Sequence, residues 1–237
     1  METVLILDFG AQYSQLIARR VREQNVYCEV KPCSISPDEI RELAPIGIIL
    51  SGGPQSVYES VSLHVDPALF SLGIPVLGIC YGCQLMAYSL GGTVAAATEA
   101  TAREYGKTLT EFDTHSAIFQ DLPASSVTWM SHGDYISRVP DGFTVTAKTA
   151  VCPTAAMACP EKRLYGVQFH PEVQHTVEGS EMLRRFLYTV CGASGDWTMA
   201  DYRQTAIRSI REKVGSGRAL LALSGCGEEQ EQEWIFS

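Results

Sequence analysis

Two separated stretches of this chain carry side chains suited to covalent chemistry. The first, Pro75-Val76-Leu77-Gly78-Ile79-Cys80-Tyr81-Gly82-Cys83-Gln84-Leu85, is an apolar run ending on a cysteine, with a helical pattern opening at Gly82. That order puts Cys80 on a sharp strand-to-helix turn. The turn lifts the thiol out of the sheet, and the positive end of the following helix favours the anionic, nucleophilic sulfur. This is the logic of a nucleophile elbow with cysteine in place of serine, the flanking glycines being read as off the usual G-x-S-x-G positions. The second stretch, Gly166-Val167-Gln168-Phe169-His170-Pro171-Glu172, reads as a strand ending in a histidine and a carboxylate two positions apart. Alternate residues of an extended chain face the same side, and Pro171 holds its φ, so Glu172 is placed to orient the His170 imidazole. Cys80, His170 and Glu172 together would supply nucleophile, base and orienting acid.

Cys80 and Cys83 also form a C-x-x-C, the spacing of a redox pair or of half a zinc site. No second such pair follows at zinc spacing, and a helix from Gly82 to Leu90 makes Cys83 a small apolar core residue. His170 alone would be an ordinary strand-end histidine; its pairing with Glu172 is what raises it. A third stretch, Ser51-Gly52-Gly53-Pro54, lets backbone approach a ligand without an intervening side chain. The N–H groups of Gly53 and of Tyr81, just after the nucleophile, could form an oxyanion hole, each donor lowering a barrier by roughly 3 kcal/mol. A plain glycine turn is the other reading of that loop.

These residues need a scaffold, and the apolar pattern supplies one. Val4 to Asp8, Tyr27 to Lys31, Gly47 to Ser51 and Val76 to Ile79 read as strands. Tyr13 to Gln24, Pro37 to Leu43 and Gly82 to Leu90 read as the intervening helices. Nearly continuous apolar strands alternating with helices imply an α/β fold with a mostly parallel sheet covered on both faces. Ligands in such sheets sit beyond the carboxyl ends of the strands, where Asp8, Ser51 and Cys80 fall. From Thr93 to Phe169 the pattern changes. Lys107 to Thr110, Val127 to Met130, Phe143 to Lys148 and Leu164 to Phe169 read as shorter strands, an antiparallel extension of the core. Glu178 to Cys191 is an amphipathic helix, Gly192 to Asp196 breaks the pattern, a further helix runs to about Val214, and Ala219 to Leu223 reads as one more strand. The acidic tail around Glu228 to Glu233 is read as frayed.

With 237 residues, 46% of them hydrophobic, one full domain plus an appendage is expected. The net charge of −9 argues against nucleic-acid or membrane partners. The amino end shows no basic leader, no apolar run reaches membrane-spanning length, and a cytoplasmic location is expected. Eight cysteines then read as free thiols, with Cys28, Cys33, Cys152, Cys159 and Cys191 small buried or incidental residues.

The three stretches, in this order, resemble the class I glutamine amidotransferases. Within that class, Leu7-Asp8-Phe9-Gly10-Ala11-Gln12-Tyr13, Leu50 to Tyr58 and Trp129-Met130-Ser131-His132-Gly133-Asp134 resemble the amidotransferase domain of the GMP synthase family. The resemblance implies a flavodoxin-like domain over residues 1–192. It implies that Cys80 attacks the amide of L-glutamine and that Gln84, Ser131, His132, Gly133 and Asp134 hold the amino-acid end. For His132 the residues alone equally allow a satisfied structural histidine. The glutaminase step would need no cofactor and no metal. ATP and Mg would serve only an XMP-amidating ATP pyrophosphatase domain, in cis or in trans, to which the ammonia passes. Residues 193–237 resemble a linker helix and a truncated, atypical start of that domain. The loop Ser224-Gly225-Cys226-Gly227-Glu228-Glu229 lacks the second glycine, the aspartate and the serine that bind phosphate in that family, so GMP formation by this chain unaided is not expected. A glutaminase serving anthranilate, carbamoyl phosphate or CTP synthesis, and a non-catalytic binding module of the same fold, are the alternatives the resemblance leaves.

Overall fold

The computed structural model describes residues 2–11, 13–59, 62–96, 103–215 and 217–218. Gln12, the strand expected at Ala219 to Leu223, the loop from Ser224 and the acidic tail lie outside the described residues. The chain divides into two compact units, Met1–Thr198 and Met199–Ser237. The second contributes one described helix, α5 (Met199–Val214).

The first unit is built on a nine-stranded sheet of order β2-β1-β3-β4-β11-β10-β9-β6-β7. Its parallel half comprises β1 (Thr3–Asp8), β2 (Tyr27–Pro32), β3 (Gly47–Leu50), β4 (Val76–Ile79) and β11 (Leu164–Val167). Beyond β11 the pairing turns antiparallel through β10 (Ala156–Cys159), β9 (Thr144–Lys148), β6 (Glu104–Phe112) and β7 (Ser125–His132). A separate antiparallel pair joins β5 (Thr93–Ala96) to β8 (Asp134–Arg138).

Alternation along β1 sorts the core into two layers. Val4 and Ile6 join Ile17, Ala18 and Val21 of α1 (Ser14–Glu23) and Met182, Leu183 and Phe186 around α4 (Gly179–Arg185). Leu5 and Leu7 face the other way, toward Ile40 of α2 (Pro37–Leu43) and Leu85, Met86 and Ala87 of α3 (Tyr81–Ser89). The helices covering both faces are why β3, β4 and β11 are buried at every position. Truncating one such side chain, as in Ile49→Ala, is expected to cost about 2–5 kcal/mol.

Local chemistry sets the boundaries. Ser36 caps α2 in a reciprocal capping box with Glu39, and Pro37 opens the helix where its missing N–H is not needed. The helix expected from Glu178 to Cys191 is α-helical only to Arg185 and widens into a π-helical turn over Phe186–Val190. No helix among the described residues is long and apolar enough to cross a membrane. The described cysteines are free thiols, all buried except the half-buried Cys191. Burial pushes the Cys83 thiol well above its ordinary value, in keeping with an inert core residue.

Candidate active site

Cys80 stands between the end of β4 and the start of α3 with φ 52° and ψ −108°, a left-handed backbone that a side-chain-bearing residue rarely adopts. Two glycines permit it. A Cβ on Gly78 would lie 2.6 Å from the Gly82 carbonyl oxygen, and a Cβ on Gly82 would lie 2.5 Å from the Leu50 carbonyl oxygen. The turn is pinned from both sides: Cys80 N–H donates to Val167 O at 2.8 Å, and Gly82 N–H donates to Ser51 O at 3.1 Å. Gln84 N–H donates to Cys80 O at 3.1 Å, so α3 begins at the cysteine. Gly78 and Gly82 stand two residues either side of Cys80. These are the G-x-S-x-G positions with cysteine for serine, which corrects the reading that put the flanking glycines elsewhere.

His170 and Glu172 reach the same end of the sheet, but not on a strand. β11 stops at Val167, and the pair sits in the turn beyond it. Pro171 cannot donate to a ladder, and His170 N–H donates instead to Trp129 O of β7 at 3.0 Å. Thr176 ties the turn down, its hydroxyl donating to His170 O at 2.6 Å and accepting from Trp129 N–H at 3.0 Å. The Arg20 guanidinium of α1 holds Glu172 O at 2.9 Å. Across this turn Glu172 Oε1 meets His170 Nδ1 at 2.7 Å, and Glu172 is 1% exposed. The other carboxylate oxygen has no hydrogen-bond partner among the described residues, so its charge is spent on the imidazole. Burial, the largest single influence, pushes His170 down. Hydrogen bonds to Cys80 and Glu172, with their charges, outweigh it and lift His170 from its ordinary 6.5 to about 10. Gly52 leaves room between the partners: a Cβ there would lie 3.4 Å from His170 Cε1 and 3.8 Å from Cys80 Cβ.

A cleft of about 480 Å³ opens over Cys80. Gly53, Tyr81, Gln84, Ser131, His132, Gly133 and Asp134, the residues expected to serve the oxyanion and the amino-acid end, all border it. Glu59, Arg103 and Tyr105 border it too and carry no sign of this in the sequence, because their loop and β6 reach the cleft only through the fold. A Cβ on Gly53 would touch the Tyr81 ring and the Phe9 carbonyl oxygen at 3.2 Å, so this glycine packs its backbone against the elbow. The His132 side chain is fully buried and engaged at both nitrogens. Nδ1 lies 3.0 Å from Asp134 O, which can only accept, and Nε2 lies 3.3 Å from Glu104 Oε2. Glu104 Oε1 accepts from Thr149 Oγ1 at 2.7 Å. The ligand-type atoms of Glu104, His132 and Cys152 lie within 4.8 Å of one another. The hydrogen bonds of Glu104 and His132 make this group a brace behind the Ser131–Asp134 turn. Gln168, 0% exposed, is a residue that sequence reasoning missed, although the alternation that pairs His170 with Glu172 puts it on the same side.

A thiol, an imidazole and a carboxylate in series beside a glycine-walled cleft can carry acyl transfer from an amide. The sequence model of the glutamine amidotransferase class-I family matches residues 5–190, a span that contains every one of these groups. The chain belongs to the class-I glutamine amidotransferases. A GMP synthase [glutamine-hydrolyzing] of Clostridium botulinum strain Alaska E43 is 54% identical over 224 residues, covering 94% of this chain and 43% of that protein. The strain Hall protein of the same name is 55% identical over the same length. This amidotransferase chain thus spans less than half the length of these curated relatives. Among solved structures, a putative GMP synthase subunit of Thermoplasma acidophilum superposes with TM-score 0.70 at 29% identity, covering 87% of this chain and 98% of that one. A glutamine amidotransferase of Thermotoga maritima, at 20% identity and TM-score 0.63, shares the fold.

Proposed function

We infer that this chain hydrolyses L-glutamine to glutamate and ammonia through a glutamyl thioester on Cys80, and that the ammonia is destined for amination of XMP to GMP by an ATP-dependent synthetase domain. The observation that carries the reading is the 2.7 Å contact between Glu172 and His170 beside a strained Cys80, within a chain more than half identical to GMP synthases.

Each residue takes one task. His170, held at Nδ1 by Glu172, carries on Nε2 the proton taken from Cys80, as its raised value favours, and the sulfur attacks the side-chain carbonyl carbon of glutamine. The oxyanion is received by the N–H groups of Gly53 and Tyr81. His170 then gives its proton to the departing ammonia, leaving the thioester. Water attacks the thioester carbon, His170 takes the water proton and returns it to the sulfur, and glutamate leaves. Gln84 and the Ser131–Asp134 turn hold the zwitterionic end of the substrate, with Glu59 and Arg103 supplying charge of both signs at the rim. ATP and Mg belong to the synthetase step, and the glutaminase step as written uses protein groups alone.

Ammonia release from L-glutamine, measured with and without an added XMP-amidating ATP pyrophosphatase domain and with Cys80→Ala as control, tests both halves. Release that depends on Cys80 and rises with that domain is expected. Release stimulated only by a different acceptor synthetase would reassign the destination. No Cys80-dependent release under any condition would overturn the glutaminase reading.

A further inference from the structure

Besides His170, which exchanges the proton, the reactive sulfur meets two neutral polar groups that pull in opposite directions. The Cys80 thiol donates to Ser131 O at 3.7 Å, a carbonyl that can only accept and so favours the protonated sulfur. From the other side, Gln168 Nε2 donates to Cys80 Sγ at 3.7 Å, a contact that strengthens as the sulfur gains negative charge. Gln168 is fully buried, and its amide orientation is fixed by a chain of forced choices. Asp134 O can only accept, so the Gln84 atom 2.8 Å from it is Nε2. Gln84 Nε2 then spends its second hydrogen on Gln168 Oε1 at 3.1 Å. With its oxygen so engaged, Gln168 must turn its own N–H toward Cys80. Both hydrogens of Gln84 being committed, its side-chain oxygen remains to accept from a ligand in the cleft that it borders.

We propose that Gln168 is a positioning residue of the amide transfer, donating a hydrogen bond to the Cys80 sulfur and linking it through Gln84 to the subsite that receives the substrate's charged end. Two side-chain amides in series polarise one another. A cation accepted by the Gln84 oxygen draws charge from that amide, makes its N–H the stronger donor to Gln168, and so strengthens the donor facing the sulfur. Substrate occupancy and nucleophile strength are therefore coupled through Gln168. This inference rests on the glutaminase reading for its catalytic meaning, but its chemical core concerns the thiol and is measurable without turnover.

The test compares the chain with Gln168→Met, which keeps the volume and removes both polar atoms, and with Gln168→Glu, which replaces the donor by an acceptor. The first readout is the pH dependence of Cys80 alkylation by iodoacetamide, with Cys80→Ala to subtract the other thiols. The midpoint is expected to move up by about one unit in Gln168→Met and by more in Gln168→Glu, the size of one hydrogen bond to a charged group. The second readout is ammonia release, where kcat is expected to fall about tenfold in Gln168→Met with KM changed less than about threefold. Thermal melting accompanies both, and a variant that melts near the parent temperature with its alkylation midpoint unmoved overturns the proposal. If Gln168→Met fails to fold, Gln84→Met reads the same chain from its far end. Its midpoint is expected to rise by a smaller amount, and an unmoved midpoint there overturns the proposal equally. A parent chain that alkylates with the expected pH dependence yet releases no ammonia would count against the glutaminase reading and leave the relay standing.

Discussion

Two histidine–glutamate pairs are buried among the described residues, and they do different work. His170 faces Glu172 at 2.7 Å through Nδ1 and keeps its other nitrogen for the Cys80 thiol. His132 faces Glu104 at 3.3 Å through Nε2, and its other nitrogen is taken by the Asp134 carbonyl. Residue types and burial are the same; what the second nitrogen meets is not. A histidine flanked by a carboxylate and a nucleophile can move protons, whereas one flanked by a carboxylate and a peptide carbonyl is closed and can only hold a turn in place. A buried pair is therefore to be judged by its third member.

Breaking the third member of the reactive pair is expected to have the greatest effect. Cys80→Ala removes the nucleophile, and ammonia release should fall by at least about 10³-fold, the scale of triad deletions. Glu172→Gln keeps size but loses the charge that steadies the imidazolium, and kcat should fall by about 10²-fold or more. The structural pair should respond in the opposite sense. His132→Leu strands the Glu104 carboxylate in the interior and is expected to cost about 3 kcal/mol, a melting temperature lower by on the order of 10 °C. Glu104→Gln should be the mildest change, because an amide can donate to Nε2 while Nδ1–H keeps its carbonyl; kcat is expected within about threefold of the parent. An E104Q enzyme as slow as E172Q would erase the distinction between the pairs.

A pH series sharpens the same contrast. The folded value of His170 is raised from 6.5 to about 10 by its two partners, so its contribution to stability is fully present below about pH 6.5 and is withdrawn as pH rises through about 10. Melting temperature should therefore decline across that window in the parent, and the decline should shrink in His170→Asn. An identical slope in both proteins would show that the imidazolium does not contribute.

Much of this was legible because it is local. Cys80 announces itself by an apolar strand running into a helix, and His170 with Glu172 by spacing and an intervening proline. The parallel strands were legible because burial on both faces makes them apolar throughout, and β4 and α2 fall where the pattern puts them. What escaped was settled by distant partners. β10 reads Ala-Met-Ala-Cys, small residues with little strand preference, and is a strand because β11 and β9 pair with it on either side. β8 follows Gly133 without a clear period and owes its existence to β5. The saturation of His132 depends on Glu104 from another strand, and the role of Gln168 depends on Gln84 from α3; no spacing in the sequence joins either pair.

β4 and β11 lie side by side in register, Val76 beside Leu164 through Ile79 beside Val167, and the elbow and the base turn hang from their adjoining ends. The separation of Cys80 from His170 is thus set by a short ladder of backbone hydrogen bonds and not by the long stretch of chain between them. Turns in that stretch could be lengthened, shortened or exchanged while the reactive distance stays unchanged. A slip of one residue on the ladder, by contrast, would turn every side chain of the strand to the wrong face. The architecture separates what must be kept from what is free to diversify, and leaves the reactive pair indifferent to most of the remodelling by which such a fold could be fitted to a new task.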